Sequence, residues 1–298
     1  MDAQKAHLVT LWCAVISKFE KGLSRSLAPG LTITQYRVLA HLALPETADC
    51  APGRLAWTAS MRPDEVEAAL EDLAQASLVA MPSSDDLHGA AHLTDTGREA
   101  LQRADGAVTE WEQRCAEALQ PSEQLLLATV LERALTIPGS YYARHLRPGA
   151  QGLSPVQRVT VLHAIHRAMA HAIRKNTDLS LTDFRFLLEL YPKKQRGEKR
   201  LRAREIVSYL RVGRSYVTTA SLRLEEEGLI ERIPDEQDAR GILFRLTPQG
   251  AQAVQAAGDD IFVLLTSLFG NLMEDRRFLL LMKHWLRAED EALATKRS

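Results

Sequence analysis

The chain has 298 residues, enough for two domains of ordinary size, and its 46% hydrophobic and 25% charged content is that of a globular protein. Its most apolar stretch, IFVLLTSLFG at 261–270, follows two aspartates and is too short to span a bilayer. The net charge of −1 conceals an asymmetry, since residues 1–150 carry 13 Lys and Arg against 19 Asp and Glu whereas 151–298 carry 24 against 19; such a split points to nucleic-acid contact by one half.

In chain order, a first helix is expected around LWCAVISKF at 11–19. Thr32 and Gln35 form a capping box that opens a helix of about three turns. A further helix starts in RPDEVEAALEDL at 62–73, with Pro63 at its first turn. After LTDTG at 93–97, long helices follow over 95–135, broken near their middle. Residues 136–153 hold Pro138, Gly139, Pro148, Gly149 and Gly152 and read as a linker. Fully extended, it reaches roughly 60 Å.

Ser154, Pro155 and Gln157 then supply an N-cap, a proline at N1 and a capping partner for a helix running to about Lys175. Ser180 and Asp183 make a variant capping box for the next. A short helix is expected over 201–210 and a longer one over 214–227, which Gly228 can end in the left-handed conformation. Residues 230–233 and 242–246 read as strands around the polar turn PDEQDARG, with Ile242, Phe244 and Leu246 on one face. Long helices complete the chain over 248–289, again broken near the middle.

The two halves repeat one plan. LTITQYRVLAHL (31–42) aligns with LSLTDFRFLLEL (179–190) at an offset of 148, VEAALEDLAQASLV (66–79) with VTTASLRLEEEGLI (217–230) at 151, and LTDTG with LTPQG (246–250) at 153. Each match alone is weak; the conserved order indicates a duplicated domain. We read repeat 1 as 1–135, a linker as 136–153 and repeat 2 as 154–298. The expected fold is mainly α with small β-wings: two tandem winged helix-turn-helix domains joined by a helical, dimer-like stalk.

At these residues the chain resembles the MarR family of bacterial transcription regulators. The resemblance is carried by LTITQYRVLAHL, by EEEGLIERIPDEQDARGILFRLTPQG (225–250) and by LQPSEQLLLATVLERAL (119–135). It covers nearly the whole chain as two fused copies, though in repeat 1 only the framework matches. Its most specific element is Asp238-x-Arg240 followed by Leu246-Thr247-x-x-Gly250.

In a helix-turn-helix the second helix enters the major groove while flanking basic groups hold phosphates. In repeat 2 that helix presents Arg214, Ser215, Tyr216, Thr218 and Thr219 in its first two turns. Arginine suits guanine, and the hydroxyls suit base edges or phosphate. Val217 and Leu224, seven apart, should face the core. Ahead of the helix stand Lys193, Lys194, Arg196, Lys199, Arg200, Arg202 and Arg204, and Arg223 follows. Residues 193–223 hold ten basic and two acidic residues, so double-stranded DNA is favoured over a merely solvated loop. The resemblance implies that Arg240 reaches the minor groove, braced by Asp238. The competing reading is an ion pair that only closes the hairpin.

Repeat 1 has the opposite character. Residues 45–81 hold two basic and seven acidic residues, with Asp64, Glu65, Glu67, Glu71 and Asp72 on the second helix. These suit the positive end of a helix dipole and would repel phosphate. The position matching Arg240 falls at Leu87, or at His88 if the gap is placed differently. Repeat 1 therefore reads as a winged helix that kept its fold and lost DNA binding; weak binding through Arg54 and Arg62 is the alternative.

The resemblance also implies interlocked terminal helices, so that one chain is a pseudo-dimer with one reading head. Operators are commonly palindromic, so two chains are expected to associate as a homodimer. Small, often aromatic, effectors are implied too, and Trp12, Phe19 and Tyr36 could line their pocket, although plain core is the commoner use of such a stripe. Relatives sense peroxide at a first-helix cysteine, the place of Cys13, or metal, for which His163, His166 and His171 are candidates. A buried thiol and interface histidines are the readings preferred here.

Cys13, Cys50 and Cys115 form no CxxC pair, and MDAQKAH lacks the order of a signal peptide, so a reducing cytoplasm is expected. No dinucleotide, P-loop, HExxH or GxSxG motif suggests an enzyme or cofactor. The expectation is a transcription regulator acting through repeat 2. The alternative is a DNA-incompetent interaction protein that sequesters a partner regulator.

Overall fold

The structure is a computed structural model that describes residues 1–27, 29–44, 51–59, 61–82, 90–117, 119–134, 154–191, 200–235 and 237–295. No described helix is long and apolar enough to cross a membrane. Backbone packing groups the chain into two compact units: Met1–Ser17 with His166–Lys283, and Lys18–Ile165 with His284–Ser298. The units do not coincide with the sequence spans 1–135 and 154–298. Each takes a piece from the other span.

The unit built on Lys18–Ile165 contains the later turns of α1 (Ala3–Leu27), then α2 (Ile33–Leu42), α3 (Pro52–Thr58) and α4 (Pro63–Gln75). A short antiparallel pair follows, β1 (Val79–Ala80) against β2 (His92–Leu93), then α5 (Asp95–Glu117) and α6 (Pro121–Ala134). Phe19, Leu23, Leu39, Leu55, Leu70 and Val108 form the centre of its core. Thr32 caps α2 through the capping box with Gln35.

The other unit contains the second half of α7 (Pro155–Asn176), then α8 (Leu181–Leu190), β3 (Leu201–Arg202), α9 (Ala203–Leu210) and α10 (Arg214–Glu226). A three-stranded antiparallel sheet in the order β3-β5-β4 is completed by β4 (Ile230–Asp235) and β5 (Asp238–Leu246). α11 (Pro248–Phe269) and the first two turns of α12 (Arg276–Thr295) follow, separated by a 3-10 turn at Gly270–Glu274, and α12 from His284 onward belongs to the unit built on Lys18–Ile165. Gly270 closes α11 at φ 52°, which places the expected break.

The short helix expected over 201–210 begins two residues later. Leu201 and Arg202 instead pair with Phe244 and Leu243, so their backbone groups are satisfied by the wing, and Arg202 becomes the N-cap of α9. The strands also run longer than the apolar alternation indicated, because main-chain pairing continues past Ile233 to Asp235.

The Leu-Thr-x-x-Gly motif makes the same join twice. The Thr94 hydroxyl donates to the Ser77 carbonyl at 2.8 Å and accepts from Gly97 N at 2.9 Å. Thr247 does likewise with Gly228 at 2.7 Å and Gly250 N at 3.0 Å. One threonine thus caps the long helix and ties it to the end of the preceding winged-helix segment. Glycine is required because a Cβ at Gly97 would lie 2.0 Å from the Leu78 carbonyl oxygen, and one at Gly250 2.0 Å from that of Leu229.

A second shared device was not apparent in the sequence. The buried Arg37 of α2 donates to the Ala59 carbonyl just beyond α3, and the buried Arg185 of α8 donates to the Tyr209 carbonyl of α9 at 3.4 Å. Each guanidinium bonds a carbonyl at the end of a neighbouring helix.

Candidate nucleic-acid interface

α10 owes its position to α8, α9 and the wing. Val217, Ala220, Ser221 and Leu224 are its buried face, as their spacing requires. Arg214, Ser215, Thr218 and Thr219 are exposed on the other side. The helix starts at Gly213, which offers no side-chain cap, so its first amide groups point outward at the positive end of the dipole. That arrangement favours an anion such as a phosphate. The preceding turn is set by Arg211, which closes α9 at φ 54°.

A cleft of about 390 Å³ runs between α10, the start of α9 and β5, lined by Arg202, Ala203, Arg204, Val207, Arg214, Val217, Thr218, Gly241 and Ile242. Arg200 and Arg204 are exposed beside it. Arg204 and Arg214, the exposed Thr218 and the apolar Val207, Val217 and Ile242 fit a sugar–phosphate backbone with its base edges.

Three residues expected to contact DNA are engaged inside the protein. The Tyr216 hydroxyl donates to Asp183 at 2.8 Å, and the Arg223 guanidinium lies 2.7 Å from the same carboxylate. Arg202 pairs with Asp235 across the wing and donates to Gln237 at 3.3 Å. Burial alone would push the Asp183 carboxyl up, but hydrogen bonds from Ser180, Tyr216 and Arg223, with the Arg223 charge, outweigh it and hold the group below the usual carboxylate range. Burial and the bond to Asp183 raise the Tyr216 phenol. The sequence could not reveal these pairs because Asp183 lies more than thirty residues from both partners.

Lys193, Lys194, Arg196 and Lys199 lie outside the described residues, as do Leu87 and His88. Asp238 and Arg240 belong to β5 at the turn of the wing, with Asp238 opposite Asp235.

In the other unit, α4 turns Asp64, Glu67, Glu71 and Asp72 outward. Arg62 is engaged by Asp64 at 3.3 Å and Glu65 at 3.0 Å, so the basic group at the start of α4 sits between two carboxylates.

The residues considered for sensing are divided between the two units. Trp12 stacks on Phe269 at 4.6 Å within the unit that carries α10. Phe19 and Tyr36 belong to the other unit, Phe19 edge-on to Trp111 at 5.5 Å and Tyr36 donating to Asp105 at 2.7 Å. Cys13 is fully buried, and that burial pushes its thiol up to about 12. Such a group is a packing residue rather than a reactive thiolate. His163 lies 3.5 Å from Glu20, and His171 is exposed. A separate cavity of about 390 Å³ lies among Leu27, Pro29, Leu31, Leu78, Ala100 and Ala104.

No curated protein sequence matches the chain. Among solved structures, it is similar to the transcriptional regulator BldR from Sulfolobus solfataricus, at 22% identity over 45% of this chain and 88% of that one, with a TM-score of 0.36. A MarR family transcriptional regulator from Streptomyces coelicolor, solved with DNA, is similar at 18% identity over 50% and 75%, with a TM-score of 0.33. Bordetella bronchiseptica BpsR, described as regulated in DNA binding by 6-hydroxynicotinic acid, is similar at 20% identity over 44% and 90%, with a TM-score of 0.34. The model of the MarR family matches residues 179–242. That span runs from α8 through α10 into the wing, and it identifies residues 179–242 as a MarR-family winged helix-turn-helix.

Proposed function

We propose that the chain is a transcription regulator that binds duplex DNA through α10 and the wing of its C-terminal winged helix. The observation that carries this reading is the arginine-rimmed cleft between α10 and β5, next to the open N-terminus of the recognition helix. Arg214, Ser215, Thr218 and Thr219 would face base edges. Arg200 and Arg204, with Lys193, Lys194, Arg196 and Lys199, would hold phosphates, and Arg240 would enter the minor groove.

The N-terminal winged segment serves as a fold partner and does not touch DNA, a role that fits the outward acids of α4. In this reading the two sequence spans are fused repeats forming a pseudo-dimer. Two chains associate to present two reading heads, and small aromatic effectors act through the N-terminal segment.

A fluorescence-polarisation titration of the full chain against its own upstream DNA, at several salt concentrations, tests the reading. Affinity that falls steeply with salt is expected. Absence of binding even at low salt would overturn it, in favour of an interaction protein. Light scattering tests the homodimer.

A further inference from the structure

We propose that Asp183 is a positioning residue for DNA reading: it tethers Tyr216 and Arg223, which orient the recognition helix instead of touching DNA. The inference rests on the DNA-binding reading above. Asp183 is only 4% exposed and occupies the third position of α8. One of its oxygens accepts from the Ser180 amide at 3.2 Å, closing the α8 cap. The other meets both the Tyr216 hydroxyl at 2.8 Å and the Arg223 guanidinium at 2.7 Å. Tyr216 and Arg223 are seven apart, so they share a face of α10 two turns from one another.

A single carboxylate therefore holds the helix at two heights and resists rotation about its axis. Rotation matters because side-chain tips stand about 5–6 Å from that axis, so a turn of about 20° moves Arg214 or Thr218 by about 2 Å. That displacement is enough to break a bidentate contact to a base.

The N-terminal winged segment supplies an independent comparison. There Gln35 and Asp72 occupy the aligned places of Asp183 and Arg223 and are joined by one hydrogen bond of 3.2 Å. The place of Tyr216 is taken by Glu65, which is turned to Arg62. The two-point ionic tether accompanies the helix with the arginine-rimmed cleft.

The test compares the wild-type full chain with Arg223→Gln, Asp183→Asn and the double variant. Each is titrated by fluorescence polarisation against the upstream duplex and a scrambled duplex, over a salt series. Each single variant is expected to lose about tenfold or more in affinity for the upstream duplex, and the double variant no more than the worse single. Binding to the scrambled duplex and the salt slope should stay as in the wild type, and Arg223→Lys should recover part of the loss.

Equal loss on both duplexes, with the salt slope falling by about one, would mean that Arg223 is a phosphate contact and would overturn the proposal. Wild-type affinity in all variants would also overturn it while leaving the DNA-binding reading intact. Failure of the wild type to bind either duplex would bring down both. If Asp183→Asn does not fold, the half-exposed Arg223→Gln and the hydroxyl-only deletion Tyr216→Phe decide the matter, the latter expected to show a smaller loss confined to the upstream duplex.

Discussion

The two winged segments use one set of internal bonds and present opposite chemistry outside. Thr94 and Thr247 bridge helix end to helix start in the same way, Gly97 and Gly250 clear the same carbonyl, and Arg37 and Arg185 fill the same buried place. Outside, α4 displays Asp64, Glu67, Glu71 and Asp72 where α10 displays Arg214, Ser215, Thr218 and Thr219. Constraints on packing and constraints on binding fall on different residues, so one set can be kept while the other is replaced. The segments also differ in cost. The second residue beyond the second helix is Gly228 at φ 70° in one and Ser77 at φ 59° in the other, where a Cβ is disfavoured.

The comparison can be broken most directly at the shared glycines. Gly97→Ala and Gly250→Ala should each destabilise the chain by about 1–3 kcal/mol, because a backbone carbonyl cannot yield as a side chain can. Denaturant unfolding checks this, and a loss at one site only would show that the joins are not equivalent. Next, Arg214→Ala should weaken DNA binding by about 1–3 kcal/mol and Arg240→Ala by a similar amount, both read by polarisation. Arg54→Ala should leave affinity unchanged; a matching loss would restore the N-terminal segment as a reading head.

Ser77→Gly should stabilise by about 1 kcal/mol or less, and Gly228→Ala should destabilise by about 1 kcal/mol. The smallest effect is expected from Glu67→Lys, within about 0.5 kcal/mol for stability and for DNA affinity. The segments should differ in acid as well. The Asp183 carboxyl is held below its ordinary value, so its contribution is complete at neutral pH and is lost as pH falls through and below about 4. In Asp183→Asn that part of the acid dependence of unfolding should vanish.

Local signals determined a good deal. The capping residues Thr32 with Gln35 and Ser180 with Asp183 are bonded as their spacing predicted, since a capping box is complete within four residues. The order of helices and hairpins, the acidic and basic halves and the LTxxG joins were likewise legible, because each rests on neighbours in the chain. Tertiary structure alone decided what depends on distant partners. It drew Leu201 and Arg202 from a helix into the wing, and it placed Trp12 with Phe269, apart from Phe19 and Tyr36. It also turned Tyr216 and Arg223 inward to Asp183. Residue type sets which charge a side chain carries; which neighbour neutralises it is settled only when segments remote in sequence are packed together.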